Sequence, residues 1–413
     1  MSWIKQLLYD IKDRHTSAEN IITCIAISLF LPYPITCGIL VVSSLYILIK
    51  SDFKTVLKSV YGAKILLLFG VYLFIVSLCF QNYIGALASV VMLSIFVCII
   101  HIRKYMHKQL FVKLVDIMIV LSLVSVVVSV FEQLYYVSQV DAMRGFFDIQ
   151  NKPQYRVHLF YLNANYYALM VLYAVCFCVY RFMDDSDIRH RLFYVICGIA
   201  NLFALFLTGG RIAWLCLAVG LLVMVFMKKW YRLFAATIVA VFASVGLLFL
   251  KPQLIPRLAQ KGLALGRREK IYRSAILMLQ QNYIFGRGPL TYYNQWPDYV
   301  DSYKAIYGAK GWGKLGISAP HAHSFLLEPL LSFGIVGVVM LCGYLFTQIK
   351  SLYALLKSGI DSSLMALIFG FIIVTFSFCI IDFPIYWIQT ATLFLMVLGA
   401  CDIYRKELSH GSN

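Results

Sequence analysis

Charge is what this chain has least of. Of its 413 residues only 13% are Asp, Glu, Lys or Arg, about half the roughly 25% of an average soluble domain. A water-soluble body of this length needs far more polar surface to cover its core, so that class is excluded. Acids are the scarcer sign, 19 against 36 Lys and Arg. Cysteine is absent from every long polar segment: all eleven cysteines fall inside apolar runs, without CxxC or Cys/His metal spacing, which excludes a disulfide framework in the exposed parts. No cleavable signal peptide is expected, because the charged opening MSWIKQLLYDIKDRH leads straight into an apolar run. No internal repeat of the kind that marks many transporters is visible.

What is present instead is hydrophobicity, 61% of residues. Runs such as IMIVLSLVSVVVSVF and LCLAVGLLVMVF carry no charge and are almost wholly apolar. They belong to apolar stretches mostly about 16–22 residues long, the scale that crosses a hydrocarbon layer about 30 Å thick. Only α-helices or a closed barrel satisfy the backbone in lipid, and a barrel requires short segments of alternating polarity. The runs are continuous, so the expected fold is an all-α polytopic membrane protein. Twelve spans are read near 17–32, 35–49, 64–80, 84–101, 112–131, 164–180, 192–208, 211–227, 233–250, 324–347, 363–381 and 385–401. The first two share one stretch broken by Pro32 and Pro34; a single kinked span there gives eleven. The chain divides into an N-terminal region 1–163 with an outer loop near 132–163, central helices 164–250, a large, partly helical outer loop 251–323, and C-terminal helices with a cytoplasmic tail, 324–413. Basic residues gather in alternate short loops (Lys54, Lys58, Arg103, Lys104, Arg189, Arg191, Lys228, Lys229, Lys357), which sets both termini inside.

Chemistry is expected where the chain leaves the helical pattern. Segment 251–323 carries eleven basic residues against Glu269, Asp298 and Asp301. Topology gives an outer loop no reason to be so basic; a phosphate or diphosphate ligand accounts for it, as does contact with anionic lipid headgroups. Within it, LAQKGLALGRREKIYRSAILMLQQ has helical spacing and too many charges to span, so it reads as a surface helix presenting Arg268 and Arg273. NYIFGRGPLTYYNQW then breaks the pattern around Arg287; its aromatics, Tyr292 among them, suit an interfacial belt or a sugar-stacking wall. Arg211 follows two glycines at the junction of two apolar runs, where a guanidinium is costly unless it reaches a partner, water or a ligand, or snorkels to the interface. The third site is APHAHSFLLEPLLSFGIVG. His321 and His323, two apart, would not share a helical face, and Glu328 follows at the start of a span. Histidine can take a proton from a hydroxyl nucleophile at neutral pH. Zinc would need more ligands than the lone further histidine there, His158, can supply, so no metal is expected.

These pieces, in this order, resemble the bacterial O-antigen ligase and polymerase superfamily. The match runs over roughly 156–337: Arg156 followed by VHLFYLNAN to Asn165; Gly-Gly-Arg211 before IAW; Arg268 with EKIY and then Gly286-Arg-Gly288; and His321-Ala-His323-SFLLE, followed by Gly334-IVG. Ser324 stands where the family usually has Asn, and Ser332-Phe333 where an acid often precedes the glycine. The resemblance implies a fold similar to the C class of membrane glycosyltransferases. It also implies inverting, metal-independent transfer of an oligosaccharide from undecaprenyl diphosphate to a hydroxyl of a glycan, glycolipid or wall acceptor, outside the bacterial cytoplasmic membrane, with no cofactor and no nucleic acid. By that resemblance His323 is the general base, with His321 or Glu328 orienting it. Arg211 and Arg268 hold the diphosphate with Arg273 and Arg287 as auxiliaries, and Arg156, Asn165 and Tyr292 contact the acceptor or the sugar. These motifs do not separate ligase from repeat-unit polymerase, though the HxH motif and the single large loop lean toward the ligase. A transporter or flippase of an anionic lipid or solute would place ionisable groups mid-helix, where Asp116 alone is acidic. A sensor or scaffold would need neither the basic segment nor the histidines.

Overall fold

The computed structural model describes residues 17–139, 155–161, 163–250, 267–308, 319–359, 361–380, 382–383 and 386–404; the side chains of Arg211, Arg267, 240–242 and 244–250 lie outside that description. Among the described residues there is no strand. The helices are α1 Ser17–Ser28, α2 Tyr33–Lys50, α3 Phe53–Ser59, α4 Ala63–Cys79, α5 Tyr83–Tyr105, α6 Lys108–Ser138, α7 Ala164–Asp184, α8 Ile188–Leu207, α9 Arg211–Met227, α10 Tyr231–Leu250, α11 Arg267–Leu279, α12 Thr291–Gln295, α13 Val300–Tyr307, α14 Leu327–Ser358, α15 Ser362–Cys379 and α16 Ile388–Gly399.

A helix stands at each of the twelve apolar runs. Seven of the described helices are long and apolar enough to cross a membrane, or eight if α3 and α4, bent by 115°, form one broken span. Ser17–Ser28, Ile212–Met227 and Ile388–Tyr404 are apolar but shorter. The stretch broken by Pro32 and Pro34 is two helices rather than one kinked span. They fold back on each other, so that the Ser17 hydroxyl at the start of α1 lies 3.1 Å from that of Tyr46 near the end of α2.

Local signals fix the helix starts. Asn82, Asn163, Asp187 and Asp361 each accept a backbone N–H of the following first turn, offsetting donors that a helix leaves unpaired. Helices α9 and α15 approach closely through small residues: a methyl group on Gly220 would meet Val374, and one on Gly370 would meet Met224. In lipid, close backbone approach of this kind replaces the hydrophobic drive that water supplies.

The two ends of the bundle differ. At one end ion pairs tie helices together: the buried pairs Arg103 to Asp402 and Arg181 to Asp116, both at 2.7 Å, and the half-exposed Lys108 to buried Asp361 at 3.0 Å. The opposite end carries the segment α11–α13, which has its own small core of Ile271, Ala275, Met278, Tyr292, Tyr299 and Tyr303. This segment is joined to the bundle by a break in α14. Gly334 has φ +64° inside that helix, so its neighbours lose their helical hydrogen bonds. The chain from Tyr283 to Gly288 supplies replacements: Ile335 N–H donates to Tyr283 at 2.9 Å and Val336 N–H to Ile284 at 3.1 Å, while Arg287 N–H donates to Leu331 at 3.1 Å and Gly288 N–H to Ser332 at 2.9 Å. Gly286, at φ +68°, faces Gly334 so closely that a Cβ on either would collide with the other's backbone. The glycines of the GRG and GIVG motifs are one joint.

Candidate active site

The joint places three chain segments around one buried carboxylate, that of Asp382, in the turn between α15 and α16. Asp382 is 1% exposed. Its Oδ1 accepts from His323 Nδ1 at 3.1 Å and from the Phe383 N–H at 2.9 Å, with His321 Nε2 at 3.2 Å. Its Oδ2 accepts from the Asn165 amide at 2.8 Å. Burial alone would raise this carboxyl, but the His323 hydrogen bond, the nearness of both imidazoles and the Asn165 amide outweigh it and hold the group well below the ordinary carboxylate range. Asp382 is an anion saturated with donors.

The two histidines, apart on any helix, meet because residues 319–326 form a loop in which His323 has φ +48°. Non-glycine residues rarely adopt that conformation, and the strain recurs at functional sites. The ring centroids are 4.1 Å apart. His321 Nδ1 accepts the backbone N–H of His323 at 3.0 Å, which leaves its proton on Nε2, between the Tyr166 hydroxyl at 2.6 Å and Asp382. Burial pushes this imidazole down to about 3; Asp382 opposes the shift, while His323 and Arg268 add to it. It is a neutral bracket. His323, by contrast, keeps partial access to solvent, with 16% side-chain exposure. Donating through Nδ1 to Asp382 fixes its tautomer and leaves the Nε2 lone pair free to take a proton.

Glu328 makes no hydrogen bond to the His323 ring among the described residues. It is fully buried and holds the loop by its backbone, accepting the Ala322 N–H at 2.7 Å and the Ser332 hydroxyl at 2.8 Å. Ser332 therefore serves Glu328, and its hydroxyl also lies 3.2 Å from that of Tyr386. Ser324 accepts the N–H groups of Leu326 and Leu327 at 3.3 and 3.2 Å, a hydroxyl turn that opens α14.

Arginines surround this centre unevenly. Arg268 lies on α11, one turn before Tyr272, whose hydroxyl donates to the His323 carbonyl at 3.0 Å, and its charge is felt at His321. Among the described residues it has no hydrogen bond or ion pair, so its charge is available. Arg156 donates to the Thr208 carbonyl at 2.6 Å and to Asn165 at 3.0 Å, joining the TGGR turn to the Asn165–Asp382 pair. Arg211 is the first residue of α9, and its side chain lies outside the described residues. Two other candidates point elsewhere among the described residues. Arg273 pairs with Glu269 at 2.5 Å and lies 4.9 Å from the Tyr307 ring; Arg287 bonds Gln281 at 3.1 Å and lies 5.8 Å from the Phe80 ring. Tyr292 is fully buried in the core of the α11–α13 segment.

Asp382, Tyr166, Tyr272 and Tyr386 were not among the sequence candidates. Asp382 had a visible signal, a lone acid in FCIIDFPIYW between two apolar runs, and Tyr272 closes the Arg268-EKIY piece of the resemblance; Tyr166 and Tyr386 had none in a chain with 28 tyrosines. His321, His323 and Asp382 place three ligand atoms within 4.8 Å of one another, enough to hold a cation. Both carboxylate oxygens already accept N–H donors and His321 Nδ1 accepts a backbone one, so a metal would have to displace the network that orients the rings.

Residues 193–342, less than half of the chain, match the family model described as O-antigen ligase. The matched part contains Arg211, Arg268, His321, His323 and Glu328, and stops short of Asp382. This supports the O-antigen ligase and polymerase superfamily for the chain, a family of membrane glycosyltransferases. No curated protein matches the chain.

Proposed function

We propose, from that family and the centre around Asp382, that this protein transfers an oligosaccharide from a polyprenyl diphosphate, undecaprenyl diphosphate in bacteria, to a hydroxyl of a second glycan at the outer face of the cytoplasmic membrane. The observation that carries the reading is the oriented pair of Asp382 and His323 beside the unpaired Arg268. The acceptor O–H gives its proton to His323 Nε2 as its oxygen forms a bond to the anomeric carbon. The bond from that carbon to the diphosphate oxygen breaks on the opposite face, which inverts the centre. Asp382 stabilises the imidazolium that results. The leaving diphosphate gains negative charge and needs fixed cations; Arg268 is the first, and Arg211, at the start of α9 just beyond the turn that Arg156 holds, is the second. His321 and Glu328 position the loop, and Asn165 and Arg156 position the carboxylate. The step needs no metal or cofactor.

Support against transport comes from Asp116. It is paired with Arg181 at one end of the bundle and accepts the Tyr194 hydroxyl at 3.2 Å, so its carboxylate is not free for coupling. The test is transfer by the purified full chain from lipid-diphosphate-linked oligosaccharide to envelope glycans. Product that disappears in His323→Ala and Arg268→Ala supports the reading; undiminished product in both variants rejects it.

A further inference from the structure

A hollow of about 300 Å³ opens at the same end of the bundle, between the turn joining α4 to α5 and the short helix α12. It is lined by four carboxamides (Gln81, Asn82, Asn294 and Gln295), two rings (Phe80 and Tyr83) and Ile84. No charged side chain lines it; the Arg287 guanidinium, 5.8 Å from the Phe80 ring, is held by Gln281. The Gln81 and Gln295 amides beside aromatic faces offer neutral donors and acceptors that match the hydroxyls and C–H faces of a sugar ring.

The hollow is a built feature. Asn82 is buried and its amide donates to the carbonyls of Arg287 at 3.0 Å and Pro289 at 2.9 Å; its oxygen accepts from Gly85 N–H at 2.8 Å and from the Asn294 amide at 2.6 Å. The stretch so gripped continues to Leu290, whose N–H donates to the Tyr386 hydroxyl. Tyr386 meets Ser332, Ser332 donates to Glu328, and Glu328 holds the His323 loop. Gln81 has φ +56°, a conformation that suits glycine. Its side-chain amide has no partner among the described residues. The left-handed turn is the end of α4, where Gln81 N–H donates to the Leu78 carbonyl and Asn82 N–H to that of Ser77; it sets the exposed Gln81 amide at the rim of the hollow.

We propose that this hollow is a subsite for a neutral sugar residue of the glycan substrate, removed from the reacting sugar. The nature of the ligand rests on the glycosyl-transfer reading. Two probes separate its sources: oligosaccharide freed by mild acid from the lipid-linked pool of the host's membranes, and glycan freed in the same way from its envelope. Saturation-transfer NMR on the full chain in detergent is expected to show one of them bound. Binding falls about tenfold in Gln81→Ala/Gln295→Ala, the worth of a lost hydrogen bond or two, and is retained in His323→Ala. Equal binding in the double variant, or binding of neither probe, overturns the inference. Gln81→Gly gives an independent arm, since it relieves the backbone while deleting the amide. A raised thermal midpoint with weakened binding supports the subsite; a raised midpoint with binding intact rejects it. If His323→Ala retains turnover while these binding results hold, the transfer mechanism fails and the sugar site stands.

Discussion

Asp382 Oδ1 lies 3.1 Å from His323 Nδ1 and 3.2 Å from His321 Nε2, so one carboxylate oxygen governs two imidazoles of opposite duty. His321 is sealed and serves as a bracket, whereas His323 is open and available to a substrate. The duties differ because the backbone N–H of His323 occupies His321 Nδ1.

Asp382→Asn keeps the shape and removes the charge that orients His323. Turnover is expected to fall by about a thousandfold or more, as when the acid of a comparable triad becomes an amide, with the KM for the lipid-linked donor little changed. Steady-state kinetics check this. Turnover within tenfold of wild type would remove Asp382 from the mechanism.

Arg268→Ala is expected to lower turnover about a hundredfold, the scale of losing one fixed stabiliser of developing charge. Arg268→Lys recovers part of it, since an ammonium supplies the charge without the fork. Arg273→Ala, whose guanidinium is engaged by Glu269 and Tyr307, falls by at least tenfold less. Reversal of that order would place the diphosphate at the other end of α11.

Asn165→Ala deletes the donor to Asp382 Oδ2 and strands the Arg156 contact. A buried anion left short of a donor costs about 1–3 kcal/mol, read as a lowered thermal midpoint. Turnover drops about tenfold through a misplaced His323. An unchanged midpoint with unchanged turnover would show that the remaining donors suffice.

Acid should destabilise the site in a defined window. His321 is held down to about 3 in the folded chain against an ordinary value near 6.5, so the folded state binds fewer protons. Its stabilisation is complete above about pH 6.5 and is lost as pH falls toward 3, with a slope of at most about 1.4 kcal/mol per pH unit. Asp382, also held low, contributes above about pH 4 and loses its share only as pH falls through its lower folded value. Thermal midpoints measured from pH 7 to 4 should decline, and His321→Gln should flatten the decline. A slope identical in wild type and variant would assign it to other groups.

Much of the fold was legible in the sequence because lipid leaves the backbone few choices. Every apolar run became a helix, and the caps at Asn82, Asn163, Asp187 and Asp361 lie where short polar residues precede those runs. The charged α11 was legible for the same reason, as a helix too polar to enter the bilayer. Pro32 and Pro34 marked a break without deciding between a kink and a hairpin; the packing of α1 on α2 decided it.

The sequence by itself determined the solvent, the helices and the inventory of arginines and histidines beside the large loop. The tertiary structure alone decided which of them meet. Asp382 lies 59 residues from His323 and 217 from Asn165 in the chain, and no helical period links positions so distant. It is joined to them only once α14 breaks at Gly334 and the chain around Gly286 repairs the break. The rule that made the helices predictable, that no backbone group goes unpaired in lipid, also makes that joint, yet which segment supplies the partner depends on packing in three dimensions.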